Sequence, residues 1–205
     1  MNLEQLRELA KPADIILTGG DGWLSKLIGF GQRTQTIDGK LSRWSHVMLY
    51  IDKAAVVEST MDFKPYPNTS TNPKRLDNGV QYNYLENHKD IPLAMLIQFP
   101  FTDEQRIAIL NKAREIYNRG TTYPILGLIG SLLSYRFGWK SNPLQSKNSL
   151  YCSAFVQEAY SVIPIDFDPN HTARNTSPEL ISQAKYPDLK KWMFNKKEGN
   201  EWMPL

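Results

Sequence analysis

Two apolar runs set three residues apart constrain this chain more than any other feature. His46-Val47-Met48-Leu49-Tyr50-Ile51 and Ala55-Val56-Val57-Glu58-Ser59 are separated only by Asp52-Lys53-Ala54. Runs of this length and composition read as strands, and so short a connection joins antiparallel neighbours. A hairpin follows, and the parity of its loop decides which side chains share a face. A three-residue loop sets Met48 opposite Glu58, so that His46, Met48, Glu58 and Thr60 lie on one face and Val47, Leu49, Ile51 and Val57 on the other. His46 and Glu58 are then diagonal neighbours, about 7 to 8 Å apart at the backbone and within reach of a side-chain hydrogen bond. A two-residue loop would send Glu58 to the wrong face.

The rest of the chain alternates strand and helix patterns. An amphipathic start over residues 1–9 is followed by Asp14-Ile15-Ile16-Leu17, a short strand running into the turn Gly19-Gly20-Asp21-Gly22. That turn lacks the Lys-Ser/Thr ending of a phosphate-binding loop. Trp23, Leu24, Leu27 and Ile28 recur at helical spacing, with a polar loop over 32–43 behind them. Residues 62–79, rich in Pro, Asn, Thr and Ser, read as a long irregular excursion, and 80–85 and 93–99 as further strands. Thr102-Asp103-Glu104-Gln105 has the form of a capping box, opening a helix that stops at Gly120. Residues 123–139 read as a buried helix, interrupted by Pro124 and Arg136 and too short in apolar content to cross a bilayer. A polar loop over 141–149 delivers the chain to a helix at Tyr151-Cys152-Ser153, with Ser149 as its N-cap. Ser177-Pro178-Glu179-Leu180 opens another helix, and the lysine-rich end with Trp192 and Phe194 reads as a solvated helix with an anchored aromatic. No repeat or linker divides the chain, so one domain over 1–205 is expected.

Charge excludes little but is informative about partners. The formal net charge is +3 with both signs interspersed, which is no footprint for nucleic acid. The mixed-charge start lacks an apolar signal segment, so a cytoplasmic location and no stable membrane insertion are expected, while the oligomeric state is left open. His46, His88 and His171 make neither an i, i+4 pair nor a zinc spacing, so neither metal nor cofactor is expected; His88, between Asn87 and Lys89, reads as an exposed loop residue.

The chain has one cysteine, which rules out an intrachain disulfide and a cysteine-rich zinc site. A buried structural cysteine is the ordinary meaning of such a residue. Cys152, however, falls at a helix start, where unpaired backbone N–H groups and the helix dipole favour a thiolate and one N–H can hold an oxyanion.

Tyr151-Cys152-Ser153-Ala154-Phe155-Val156-Gln157-Glu158-Ala159-Tyr160 resembles the nucleophile helix of NlpC-like papain-fold cysteine hydrolases. Trp44-Ser45-His46-Val47-Met48-Leu49-Tyr50, with Asp14-Ile15-Ile16 upstream, is similar to that family's Gly-Asp strand and Ser-His-Val segment. The histidine precedes the cysteine here, as in the circularly permuted, YiiX-like branch, and the resemblance runs from Pro12 to about Leu189. Val56-Val57-Glu58 resembles the branch's Val-Ile-Glu element. The resemblance therefore implies Cys152 as nucleophile, His46 as base and Glu58 as the group that orients the histidine, with Asp14, Asp62 and His171 as rivals for the third role. Ala13, Met48 and Ala154 depart from the family's usual residues.

The expected fold is α+β, a permuted papain-like arrangement with a small antiparallel sheet packed against the cysteine-bearing helix. The implied reaction is hydrolysis of amide bonds, cell-wall peptides among them, through an acyl-enzyme. Two other readings share the fold: a lipid amide or ester hydrolase or acyltransferase of the lecithin-retinol type, for which residues 125–133 would line a groove, and a non-catalytic binding module. The substrate is accordingly a peptide or an acyl amide or ester.

Overall fold

The structure is a computed structural model that describes residues 3–61, 78–123, 130, 133, 137, 139, 149–169, 176–195 and 203–204. Helix α1 (Leu3–Leu9) leads into β1 (Ile15–Gly19) and α2 (Trp23–Gly31). The hairpin β2 (His46–Tyr50) and β3 (Ala55–Met61) is followed by β4 (Asn78–Tyr84), a 3₁₀ turn over Leu85–His88, β5 (Leu93–Gln98) and α3 (Asp103–Asn118). Helices α4 (Cys152–Tyr160) and α5 (Pro178–Ser182) precede β6 (Lys190–Asn195) and the short β7 (Met203–Pro204).

The strands form one seven-stranded antiparallel sheet in the order β4-β3-β2-β1-β5-β6-β7, larger than the small sheet expected. The fold is α+β. Strand alternation divides the apolar residues between two faces. Val47, Leu49 and Val57 belong to the larger core, with Ile109, Ala113 and Ile116 of α3 and Ala154, Phe155 and Val156 of α4. Met48, Tyr50 and Val56 face the other way, into a smaller core closed by Leu3 and Leu6 of α1. The sheet is thus covered on both sides.

Local signals act as the sequence implies at several places. Thr102 and Gln105 make the reciprocal capping box that starts α3, and Gly120, at φ 68°, takes the left-handed backbone just past its end. Ser177 caps α5 with Pro178 at its first turn. Gly19 ends β1 where a β-carbon would lie 2.0 Å from the Arg43 carbonyl oxygen, so only glycine lets the two segments approach.

Three expectations are corrected. Ser149 is not the cap of the cysteine helix: it forms a bridge with Thr122, and Tyr151 is the N-cap, its side chain making no capping bond to the helix. The lysine-rich end is a strand, because Trp192 and Phe194 alternate onto the face shared with Leu96 and Ala94, a period of two that a helix would scatter. Of residues 123–139, read as a buried helix, Leu133, Phe137 and Trp139 are exposed and Gly130 is buried. Of the 62–79 excursion, residues 62–77, Asp62 among them, lie outside the described residues and 78–79 begin β4; His171 and residues 125–129, 131 and 132 of the stretch read as a lipid groove also lie outside them.

Candidate active site

The hairpin loop has three residues. Met48 pairs with Glu58, Leu49 with Val57 and Tyr50 with Val56, and the Ile51 N–H donates to the Ala55 carbonyl across Asp52, Lys53 and Ala54. Asp52 accepts from the Ala54 and Ala55 N–H groups, which holds the turn at that length. The register places Glu58 on the diagonal from His46, and its Oε2 meets His46 Nε2 in a very short contact.

Glu58 is buried and does more than hold His46. Its second oxygen, Oε1, accepts from Asn83 Nδ2 at 2.6 Å and bonds His88 Nε2 at 3.1 Å. Asn83 lies on β4, diagonal to Glu58 through the Glu58–Gln81 pair, and His88 ends the 3₁₀ turn that follows. His88 is therefore no exposed loop residue. Its recruitment depends on how β4 registers on β3. A single sequence carries no signal for that register, because the residues between them do not fix it as a tight turn does.

His46 is the first residue of β2, at the end of the sheet where β1 finishes and α4 begins. Its imidazole hydrogen-bonds Glu58 and lies close enough to the Cys152 sulfur for the two to interact electrostatically. With Nε2 committed to the carboxylate, Nδ1 is the nitrogen left for sulfur. Burial alone would lower the histidine's pKa. The Glu58 carboxylate and the Cys152 sulfur override it and raise the value to about 10. For Glu58, burial raises the pKa, and the His88 and His46 imidazoles override that to hold it well below the ordinary carboxylate value.

Cys152 is the first residue of α4, so its N–H lies among the helix donors that have no intrahelical partner. It is only 4% exposed and sits in the larger core, as a structural cysteine would; the histidine at its sulfur sets it apart. Two hydrogen bonds anchor the helix start: Ser153 Oγ donates to the Thr176 carbonyl at 2.7 Å, and Ser59 Oγ donates to the Leu150 carbonyl at 2.5 Å. Ser59 is next to Glu58 on β3, so one strand steadies both the carboxylate and the approach to α4. The Tyr123 phenol lies near Cys152; burial, with Cys152 and Tyr151 adding to it, raises its pKa well above the usual value, so the hydroxyl keeps its proton.

Asp14, a rival for the third role, is committed elsewhere. Its Oδ1 pairs with Arg106 Nη1 at 2.7 Å, and its Oδ2 accepts from the Lys11 N–H and from Gln98 Nε2. Arg106 also donates to the Pro12 and Phe99 carbonyls, which ties α3 to both ends of this corner. Asp14 is a structural residue.

Among the described residues no group of three or more His, Cys, Asp or Glu side chains is arranged to hold a metal ion, and no helix is long and apolar enough to cross a membrane. No protein-family model matches the chain, and no curated protein matches it.

Proposed function

We propose that the chain is a cysteine hydrolase of amide bonds, with Cys152 as nucleophile, His46 as base and Glu58 as the residue that orients the base. One observation carries the reading: a single imidazole meets the only cysteine on one side and a buried carboxylate on the other. A buried carboxylate hydrogen-bonded to Nε2 steadies the ring and leaves Nδ1 available to serve the sulfur, which is what a thiol–imidazole pair needs. The resemblance of the Cys152 and His46 segments to permuted NlpC-like hydrolases of the YiiX-like branch supports the same assignment.

In this mechanism the Cys152 sulfur, its proton passed to His46, attacks the carbonyl carbon. A C–S bond forms as the carbonyl π electrons move to oxygen. The Cys152 N–H at the start of α4 donates to that oxyanion. The oxyanion collapses, the C–N bond breaks, and the imidazolium gives its proton to the leaving amine. A water then loses a proton to His46 and attacks the acyl carbon, the C–S bond breaks, and the carboxylic acid departs. Glu58 keeps its charge throughout and stabilises each imidazolium stage.

The test is an activity-based electrophile that labels thiols, followed by hydrolysis of a panel of peptidyl and acyl substrates. Labelling of the folded wild type at Cys152, with turnover of a peptidyl amide that Cys152→Ala abolishes, is expected. A folded protein that resists labelling, or turnover that survives Cys152→Ala, overturns the proposal.

A further inference from the structure

Helix α2 has its apolar side outward. Trp23, Leu27 and Phe30, spaced four and three residues apart, share one face and are 77%, 45% and 56% exposed. The opposite face, with Ile28 and Gly29, is buried. The helix cannot roll to reverse this. A β-carbon on Gly29 would lie 2.5 Å from the Ser42 carbonyl oxygen. The adjoining Gln32 is wholly buried: its Nε2 donates to the Ile28 and Trp44 carbonyls, and its Oε1 accepts from the Glu179 N–H. These bonds fix the orientation that leaves the aromatic face in water, where each large side chain forfeits the burial that would stabilise it.

We propose that this face docks on an anionic lipid bilayer. Charge favours lipid over an apolar protein partner. Lys26 is the helix's only charged residue and lies on its exposed face; no acidic residue occurs between Gly22 and Ile37; and Arg33, Lys40 and Arg43 follow in the next segment. Of the two acidic residues that flank this stretch, Asp38 is paired with Lys40 at 3.1 Å. Ile37, 94% exposed, and Leu41 add apolar side chains to the same segment. An exposed Trp-Leu-Phe face with a lysine beside it and basic residues in the adjoining segment suits a helix lying in the headgroup layer. The surface adjoins the candidate active site. Lys26, Leu41 and Arg43 line a cleft of about 290 Å³ together with Gly19 and Gly20, which follow Thr18, the β1 partner of His46. Docking there brings membrane-borne acyl amides or esters to the end of the sheet that carries His46, where α4 begins with Cys152; this choice of substrate, unlike the docking, rests on the hydrolase reading.

The test is flotation of the full chain as Cys152→Ala, so that binding is read without hydrolysis, with phosphatidylcholine vesicles with and without phosphatidylglycerol. Flotation with the phosphatidylglycerol vesicles, weakened by salt, and a blue-shifted tryptophan emission that is lost in Trp23→Phe, are expected. Leu27→Glu/Phe30→Glu should weaken binding by roughly tenfold or more, and Lys26→Glu by a smaller factor. These residues face water, so folding is checked by circular dichroism, and Trp23→Ser is the second variant should the double substitution unfold. No flotation with phosphatidylglycerol vesicles, or flotation indifferent to the folded α2 variants, overturns the proposal. So does a wild-type dimer without flotation that the same variants split, since the face then belongs to a second copy. Flotation by a chain whose wild type hydrolyses nothing sinks the hydrolase reading alone, and labelling at Cys152 without flotation sinks the docking alone.

Discussion

Glu58 stands two residues diagonally from His46 across the β2–β3 hairpin, and its carboxylate engages Nε2 of the imidazole that also interacts with Cys152. The relationship follows from a loop of three residues between the strands, and it makes separate predictions for the thiol, the imidazole and the carboxylate's other partners.

The thiol should be reactive in the folded state and depend on the imidazole. Alkylation of Cys152 by iodoacetamide at about pH 6 should proceed in the folded wild type and slow in His46→Ala, with Glu58→Gln between the two. Mass spectrometry of the modified peptide measures it. A Cys152 that reacts only in denaturant, whatever residue 46 is, would mark a structural cysteine.

His88 and Asn83 should act through Glu58 rather than on substrate. Their bonds to Oε1 hold the carboxylate so that Oε2 meets His46. His88→Gln should lower kcat by about tenfold with little change in KM, and should move the pH profile of kcat, because a partner that holds the Glu58 carboxylate below its ordinary pKa beside His46 is removed. An unchanged profile would reduce His88 to a packing residue.

Stability should fall on both sides of a mildly acidic optimum. His46 has a folded pKa of about 10 against an ordinary value of 6.5, so its contribution is complete below about pH 6.5 and is lost as pH rises through about 10. Glu58 is depressed below its ordinary 4.5, so its contribution is present above about pH 4.5 and is lost as pH falls through the folded value. Denaturant titrations from acid to alkali should show both limbs in the wild type, and Glu58→Gln should flatten them. Limbs of equal steepness in that variant would break the assigned coupling.

The Asp14–Arg106 pair should matter to folding and not to the thiol. Arg106→Ala strands a buried carboxylate, which costs about 3 to 5 kcal/mol. The loss should appear in the denaturant midpoint, while the alkylation rate of Cys152 in the remaining folded protein stays near that of the wild type. A selective loss of thiol reactivity would return Asp14 to the active site.

What the sequence determined by itself is local. The hairpin was legible because so short a connection joins antiparallel neighbours, and its parity reduced to loop length because side chains alternate with a period of two; the three-residue loop over Asp52-Lys53-Ala54 is what the structure decided. The α3 cap and the Ser177-Pro178 start were legible because they are as local: each is a bond between residues three apart. That Cys152 begins a helix was readable from its neighbours, although its cap was not Ser149. Only the tertiary structure decided the rest. Asn83 and His88 reach Glu58 through the register of β4 on β3, and Asp14 is drawn off by an arginine 92 residues away. Trp192 and Phe194 become strand residues because β5 offers an open edge. These outcomes depend on which distant surfaces pack together, and a long connection leaves that choice to the burial energy of the whole sheet rather than to any residue within it.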